Sequence, residues 1–296
     1  MGFLEKLKSL TAYFESNKLD VSARFEFTRE AISGTMSKFR SARDIKTGKI
    51  VGLKILDSEK TAAFEERFKQ LNKPSEGEIA MKIKSPRVVE TYEYGDTVSG
   101  QQYILMEFIE GPGLNTLIQN CDESLVGKRV ELIRQMAEAI DAVHKAGFIH
   151  RDVCPRNFIV TADMKTLKLI DFGLTVPNER EYRMPGNRTG TPLYMAPEIV
   201  RRRSTDERVD IFALGVTSYR LLTWEFPWPA GETSGKAALA HDTQKPTDIF
   251  SYRPKLNRVL GEAIMKCIEP EPGERPASTE QFLQMIRGVT SEEEAA

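Results

Sequence analysis

Cysteine is scarce: Cys121, Cys154 and Cys267 are the only three in 296 residues. They are odd in number and none stands near another, which excludes a disulfide-stapled framework and the short spacings of a zinc site. A reducing compartment follows from that scarcity. No apolar run approaches the roughly 20 residues that cross a bilayer, and the first residues lack the apolar stretch and small-residue cleavage site of a secretory signal. Gly2 follows Met1, yet Lys6 stands where a myristoylation signal carries serine or threonine. A cytoplasmic protein without a membrane anchor is the expectation. Charge of one sign is lacking too, since 42 Lys and Arg face 43 Asp and Glu. Without a basic field no nucleic-acid partner is expected, and any partner has to be recognised locally.

What is present is the composition of a globular protein, 40% hydrophobic and 29% charged, which excludes disorder. The length suffices for one large domain or two lobes, each with its own core. Phe3, Leu4, Leu7, Leu10, Tyr13 and Phe14 recur at helical spacing, so residues 1–20 are expected to include an amphipathic helix. Its mixed polar face suits packing on its own domain or a regulatory partner better than a membrane surface. From Val21 to Met106 the pattern alternates short β-like runs, among them 49–56 and 102–108, with one helical stretch over 60–84. A cluster of glycine and proline, Glu110-Gly111-Pro112-Gly113, marks a connection. Beyond it the spacing turns helical, strongest at 130–144, 209–222 and 256–267. The acidic end, Ser291 to Ala296, is expected to fray.

Four blocks follow one another: Val51-Gly52-Leu53-Lys54, then His-Arg-Asp-Val-Cys-Pro-Arg-Asn over 150–157, then Asp171-Phe172-Gly173, then Ala196-Pro197-Glu198. A lone Asp-Phe-Gly is a weak signal, but the ordered set resembles the eukaryotic-type protein kinase family over residues 24–288. The resemblance implies an α+β, two-lobed protein-kinase-like fold, with a small β-rich N-lobe carrying one main helix and a larger, mostly helical C-lobe. The N-lobe would span 21–107, a hinge 107–111 and the C-lobe 112–288, leaving a tail over 289–296. The activity implied is transfer of the γ-phosphoryl group of ATP, with Mg2+, to serine or threonine hydroxyls of a protein substrate.

Phosphoryl transfer needs positioned cations around the phosphates and an acceptor for the hydroxyl proton more than it needs covalent chemistry. Lys54 lies in the apolar run Ile50, Val51, Leu53, Ile55 and Leu56, where a buried ammonium requires a paired charge. The resemblance makes it the ligand of the α- and β-phosphates and makes Glu76 its partner, with Glu78 as competitor. It makes Asp152 the residue that orients the acceptor hydroxyl, and Asn157 and Asp171 the metal ligands, both offering the oxygen donors that magnesium prefers. Met106 falls at the gatekeeper position, with backbone groups of Glu107 and Ile109 facing adenine. Gly190-Thr191-Pro192-Leu193-Tyr194-Met195 resembles the substrate-docking segment of serine/threonine kinases. Glu198 is expected to pair with Arg275, and Asp210 to hold the catalytic loop from a buried helix.

The sequence also departs from the family. The phosphate-covering pattern falls on Ile32, Gly34, Ser37 and Phe39, of which one alone is glycine; Ile32, Ser33, Gly34 and Phe39 are still the expected nucleotide contacts, over a stiffer or more distant loop. Cys154 stands where serine/threonine kinases carry a lysine for the γ-phosphate, and Arg156, four residues past Asp152, could supply that charge. A reactive thiol at Cys154 is one expectation, and a small residue filling buried space is the other. Arg151, Thr189 and Thr191 are the candidate regulatory residues: Arg151 would read a phosphate at Thr189, or pair with Glu179 and Glu181 instead. The rival function is a pseudokinase scaffold, supported by the glycine-poor loop and Cys154. A kinase for small molecules is a second rival.

Overall fold

A computed structural model describes residues 18–28, 32–33, 37–185, 189–228 and 237–294. The chain divides into two compact units, one made of residues up to Lys82 together with Glu90–Ile109, the other of Ile83–Val89 and everything from Glu110 onward. The N-terminal helix expected over 1–20 lies, up to residue 17, outside the described residues, as does Gly34.

The first unit is built on an antiparallel sheet. A single-turn helix α1 (Val21–Arg24) leads into β1 (Phe25–Phe27), β2 (Ile32–Ser33), β3 (Ser37–Asp44), β4 (Ile50–Leu56), β5 (Thr91–Asp96) and β6 (Gln102–Glu107). The order is β1-β3-β4-β6-β5, with β2 paired to β3. β4 is central and reads as a nearly continuous apolar run because both its faces are covered. Leu19, Phe25, Ala42, Val51, Leu53, Tyr103 and Leu105 make one core cluster. At its edge Arg24 bridges Asp44 at 3.0 Å and Glu93 at 2.7 Å.

The helix expected over 60–84 is interrupted. α2 (Ser58–Glu65) runs into a 3-10 turn over Glu66–Phe68, and α3 (Glu76–Lys82) starts afresh. Pro74 explains the break, because its ring and missing N–H cannot continue a helix, and Asn72 before it adopts a positive φ of 47°.

The second unit is mainly helical: α4 (Leu114–Gln119), α5 (Arg129–Lys145), α6 (Pro197–Val200), α7 (Arg208–Thr223), α8 (Ala237–Thr243), α9 (Ile249–Tyr252), α10 (Arg258–Cys267) and α11 (Thr279–Met285). Two short antiparallel pairs, β7 (Phe148–Ile149) with β10 (Val176–Pro177) and β8 (Phe158–Val160) with β9 (Leu167–Leu169), hold the loops between α5 and α6. α7 is buried along nearly its whole length, which is why its sequence is apolar on every face. Ile83–Val89 belongs to this unit because the Val89 N–H donates to the Leu169 carbonyl and the Leu169 N–H to the Arg87 carbonyl, both at 2.9 Å.

The acidic tail is docked at Glu292 and Glu293, contrary to the expectation that it frays. Glu292 is 6% exposed and accepts from the backbone N–H groups of Gly127, at 2.7 Å, and Arg129, at 3.2 Å. Its carboxylate also pairs with the Arg129 guanidinium at 3.3 Å, and Leu256 forms a backbone bridge to Glu293. A carboxylate at the start of α5 is favoured by the unpaired N–H groups there, and the acidic composition of the tail serves that contact. Among the described residues no helix is long and apolar enough to cross a membrane.

Candidate active site

In the first unit Lys54 projects from β4, and its ammonium forms an ion pair with the Glu76 carboxylate; the two side chains are 6% and 9% exposed. The choice between Glu76 and Glu78 is made by helix capping. The Glu78 carboxylate accepts from the Ser75 N–H at 2.7 Å while Ser75 Oγ accepts from the Glu78 N–H at 3.3 Å, a reciprocal box that occupies Glu78 at the start of α3. Glu76, two residues earlier, faces inward. Gly77 lets α3 lie against β5: a Cβ there would stand 2.5 Å from Cβ of Tyr94. Ile32 and Ser33 pair with Phe39 and Lys38 in the β2–β3 ladder. Phe39 covers Gly52, where a Cβ would stand 2.8 Å from its ring and 3.1 Å from Met106 Cγ. Met106 is buried, and Glu107 donates its N–H to the Glu90 carbonyl and accepts the Glu90 N–H on its side chain. Ile109 is the last residue of this unit.

In the second unit the loop over 150–157 hangs from α7. Asp210 is 1% exposed and accepts from the N–H of His150 at 2.8 Å, the N–H of Arg151 at 2.8 Å and Nε2 of His144 at 2.9 Å. Burial alone would raise its carboxyl, but these donors and the two histidines hold it below the usual carboxylate range. His150 Nε2 donates to the Asp171 carbonyl at 2.6 Å, tying the loop to the Asp-Phe-Gly segment. The Asp171 carboxylate accepts from the Gly173 N–H at 2.8 Å.

Asp152 is fixed on both oxygens. Oδ1 accepts from the Thr191 N–H at 2.9 Å and the Thr191 hydroxyl at 2.7 Å, and Oδ2 accepts from Nδ2 of Asn157 at 3.1 Å. Nδ2 of Asn157 also donates to the Asp152 carbonyl at 2.7 Å, so the amide hydrogens are engaged there and the amide oxygen is the side of the group suited to a cation. The Ile170 N–H donates to the Asn157 carbonyl at 3.0 Å, which sets Asp171 one residue from that contact. One amide oxygen and one carboxylate are donors that fit a magnesium ion sharing its shell with water and phosphate. Among the described residues no group of three or more His, Cys, Asp or Glu side chains forms an all-protein metal cage.

Arg156 is exposed and donates to Oγ1 of Thr191 at 2.8 Å. Cys154 is fully buried, and that burial pushes its thiol up to about 11, which removes the thiolate that redox chemistry requires. Arg151 does not pair with Glu179 or Glu181, both exposed. Its Nη2 donates instead to the Tyr182 carbonyl at 2.7 Å and Oγ1 of Thr205 at 3.1 Å, while Nε and Nη1 have no partner among the described residues. Burial brings the guanidinium down to about 10. Thr189 is 8% exposed and its hydroxyl is likewise without a partner, so modification there would require the segment to open. Glu198 and Arg275 form a two-armed pair at 2.7 and 2.9 Å.

Sequence reasoning missed three contributors. Thr191 holds Asp152, although its position in the docking segment suggested regulation alone. Thr205 receives Arg151, and Arg220 contacts the docking segment through Tyr194. Thr205 and Arg220 carry no local signature, since each acts through a neighbour distant in sequence.

Residues 25–285 match the protein kinase domain family. The serine/threonine-protein kinase pkn3 of Myxococcus xanthus is 29% identical over 90% of this chain and 50% of its own length. PknB of Mycobacterium tuberculosis, also named a serine/threonine-protein kinase, is 28% identical over 86% of this chain and 41% of its own. The chain thus spans about half or less of the length of these relatives. Among solved structures the PknI kinase domain of Mycobacterium tuberculosis shares the fold, with a TM-score of 0.68 at 23% identity over 90% of this chain and 96% of that one. With the family match extending over most of its length, the chain belongs to the protein kinase domain family.

Proposed function

We propose that this chain is a serine/threonine protein kinase that uses ATP and Mg2+. The observation that carries the reading is the fixation of Asp152. Its carboxylate is held by Asn157 on one oxygen and by two donors of Thr191 on the other. A base so oriented meets an acceptor hydroxyl without reorganising, and its tie to Thr191 keeps it in register with the segment that would seat the peptide. Lys54, its geometry set by Glu76, is suited to the α- and β-phosphates. Asn157 and Asp171 offer hard oxygen donors for magnesium, whose charge neutralises the phosphates when bound. Met106, Glu107 and Ile109, with Ile32, Ser33 and Phe39, are the proposed adenine and phosphate contacts. A scaffold function has no support among the relatives, which are named as kinases.

The test is ATP- and Mg-dependent phosphorylation of a generic protein substrate, read by mass spectrometry. Asp152→Asn is expected to lower transfer by on the order of 10²–10⁴ while leaving the unfolding midpoint close to wild type. Nucleotide binding without any transfer by the wild type would replace this reading with the scaffold.

A further inference from the structure

Several arginines of the second unit have a carboxylate: Arg129 has Glu292, Arg201 has Asp242, Arg208 has Asp206, Arg253 has Glu293 and Arg275 has Glu198. Arg220 and Arg156 are among those that, within the described residues, pair with no acidic side chain. Arg220 rises from α7, half-buried, and Nη1 donates only to neutral oxygens, the Tyr194 phenol at 2.7 Å and Asn115 Oδ1 at 3.4 Å. Its guanidinium lies 4.4 Å from the Phe226 ring centre, and its Nε is buried without a partner. Arg156 donates to the Thr191 hydroxyl alone. Tyr194 and Thr191 belong to one short turn, Thr191 being bonded to Asp152. Arg220 bonds Tyr194 and Arg156 bonds Thr191, so the two arginines flank the same stretch of chain.

Two guanidiniums without counter-ions, held in place by neutral partners beside the catalytic aspartate, form a strip with unmet demand for anions. A guanidinium so constrained binds a carboxylate with little ordering cost. Among the described residues Asp152 accepts from Asn157 and Thr191 and from neither arginine. We propose that Arg220 and Arg156 read the carboxylates of aspartate or glutamate residues next to the acceptor serine or threonine, making acidic segments the substrate class of this kinase. The inference rests on the kinase reading above. It excludes basic flanking residues, which the same charges repel.

The experiment uses the full chain and three peptides that differ only around one acceptor serine, with glutamate, glutamine or lysine at the flanking positions. Transfer is measured as kcat/KM and binding by fluorescence anisotropy of the labelled peptides without ATP. The glutamate peptide is expected to exceed the glutamine peptide about tenfold in kcat/KM and in affinity, with lysine lowest. Arg220→Gln should collapse the glutamate preference and Arg220→Lys restore part of it. Equal use of glutamate and glutamine peptides, a preference for lysine, or an unchanged glutamate preference in Arg220→Gln would overturn the inference and leave the kinase reading standing. Transfer to none of the peptides counts against the kinase reading instead, and the anisotropy comparison still decides the charge preference. The wild-type peptide series needs no variant to fold.

Discussion

Two arginines in the second unit show what burial demands of a guanidinium and what its absence permits. Arg275 fills all five donors: two go to Glu198, and one each to the carbonyls of Glu269, Pro270 and Arg208. Arg151 is also buried, yet two of its nitrogens have no partner among the described residues. The saturated arginine is scaffold, for each of its N–H groups would cost free energy if exposed to an apolar interior alone. The unsaturated one donates to the Tyr182 carbonyl and the Thr205 hydroxyl and leaves two nitrogens without partners among the described residues. Arg220 shares that unsaturated state at its buried Nε.

The contrast is sharpest in stability. Arg275→Met leaves Glu198 buried without its partner and is expected to cost about 3–5 kcal/mol in urea unfolding. Arg151→Met removes a guanidinium with few bonds to lose, so its cost should be clearly smaller. Equal losses in the two variants would end the distinction between saturated and unsaturated arginines.

A buried base offers the next test. His241 is 2% exposed, donates from Nδ1 to the Met195 carbonyl at 2.8 Å and lies 4.3 Å from the Trp228 ring. Burial takes its pKa from 6.5 to about 4, against the smaller opposing effect of the Met195 carbonyl. The unfolded chain therefore binds the extra proton first as pH falls. The stabilisation is full above about pH 6.5 and is lost as pH drops towards 4, a change on the order of 3 kcal/mol. Urea unfolding at several pH values should show this slope in the wild type, and His241→Phe should flatten it.

In the first unit Gly52→Ala should cost about 1–3 kcal/mol, because the new methyl meets the Phe39 ring. In a Phe39→Val background the same substitution should cost much less, as a double-mutant cycle would show. The smallest effect is expected at Cys154, whose buried thiol is protonated: Cys154→Ala should leave peroxide sensitivity of the activity unchanged.

Much of the site was legible because its parts are local. The spacing within 150–157 and the Asp171-Phe172-Gly173 turn are short-range patterns, and the helices expected at 130–144 and 209–222 appear as Arg129–Lys145 and Arg208–Thr223. The helix over 60–84 was misread because apolar periodicity continues past Pro74, where the backbone cannot. The pairing of Arg151 with Glu179 or Glu181 rested on charge alone, and the structure gives that guanidinium a carbonyl and a hydroxyl instead. The tail was read by its composition, and no local feature reveals that Glu292 meets Arg129 across 163 positions of chain.

The sequence by itself determined the family and the α+β fold and supplied Lys54, Asp152, Asn157 and Asp171 as candidate site groups, because these depend on residue type and short spacing. Tertiary structure decided which of two glutamates faces Lys54, what holds Asp152, and which arginines keep open donors. Those outcomes depend on how a limited set of acceptors is shared among groups brought together from distant parts of the chain, and that competition is settled only when each unit packs internally.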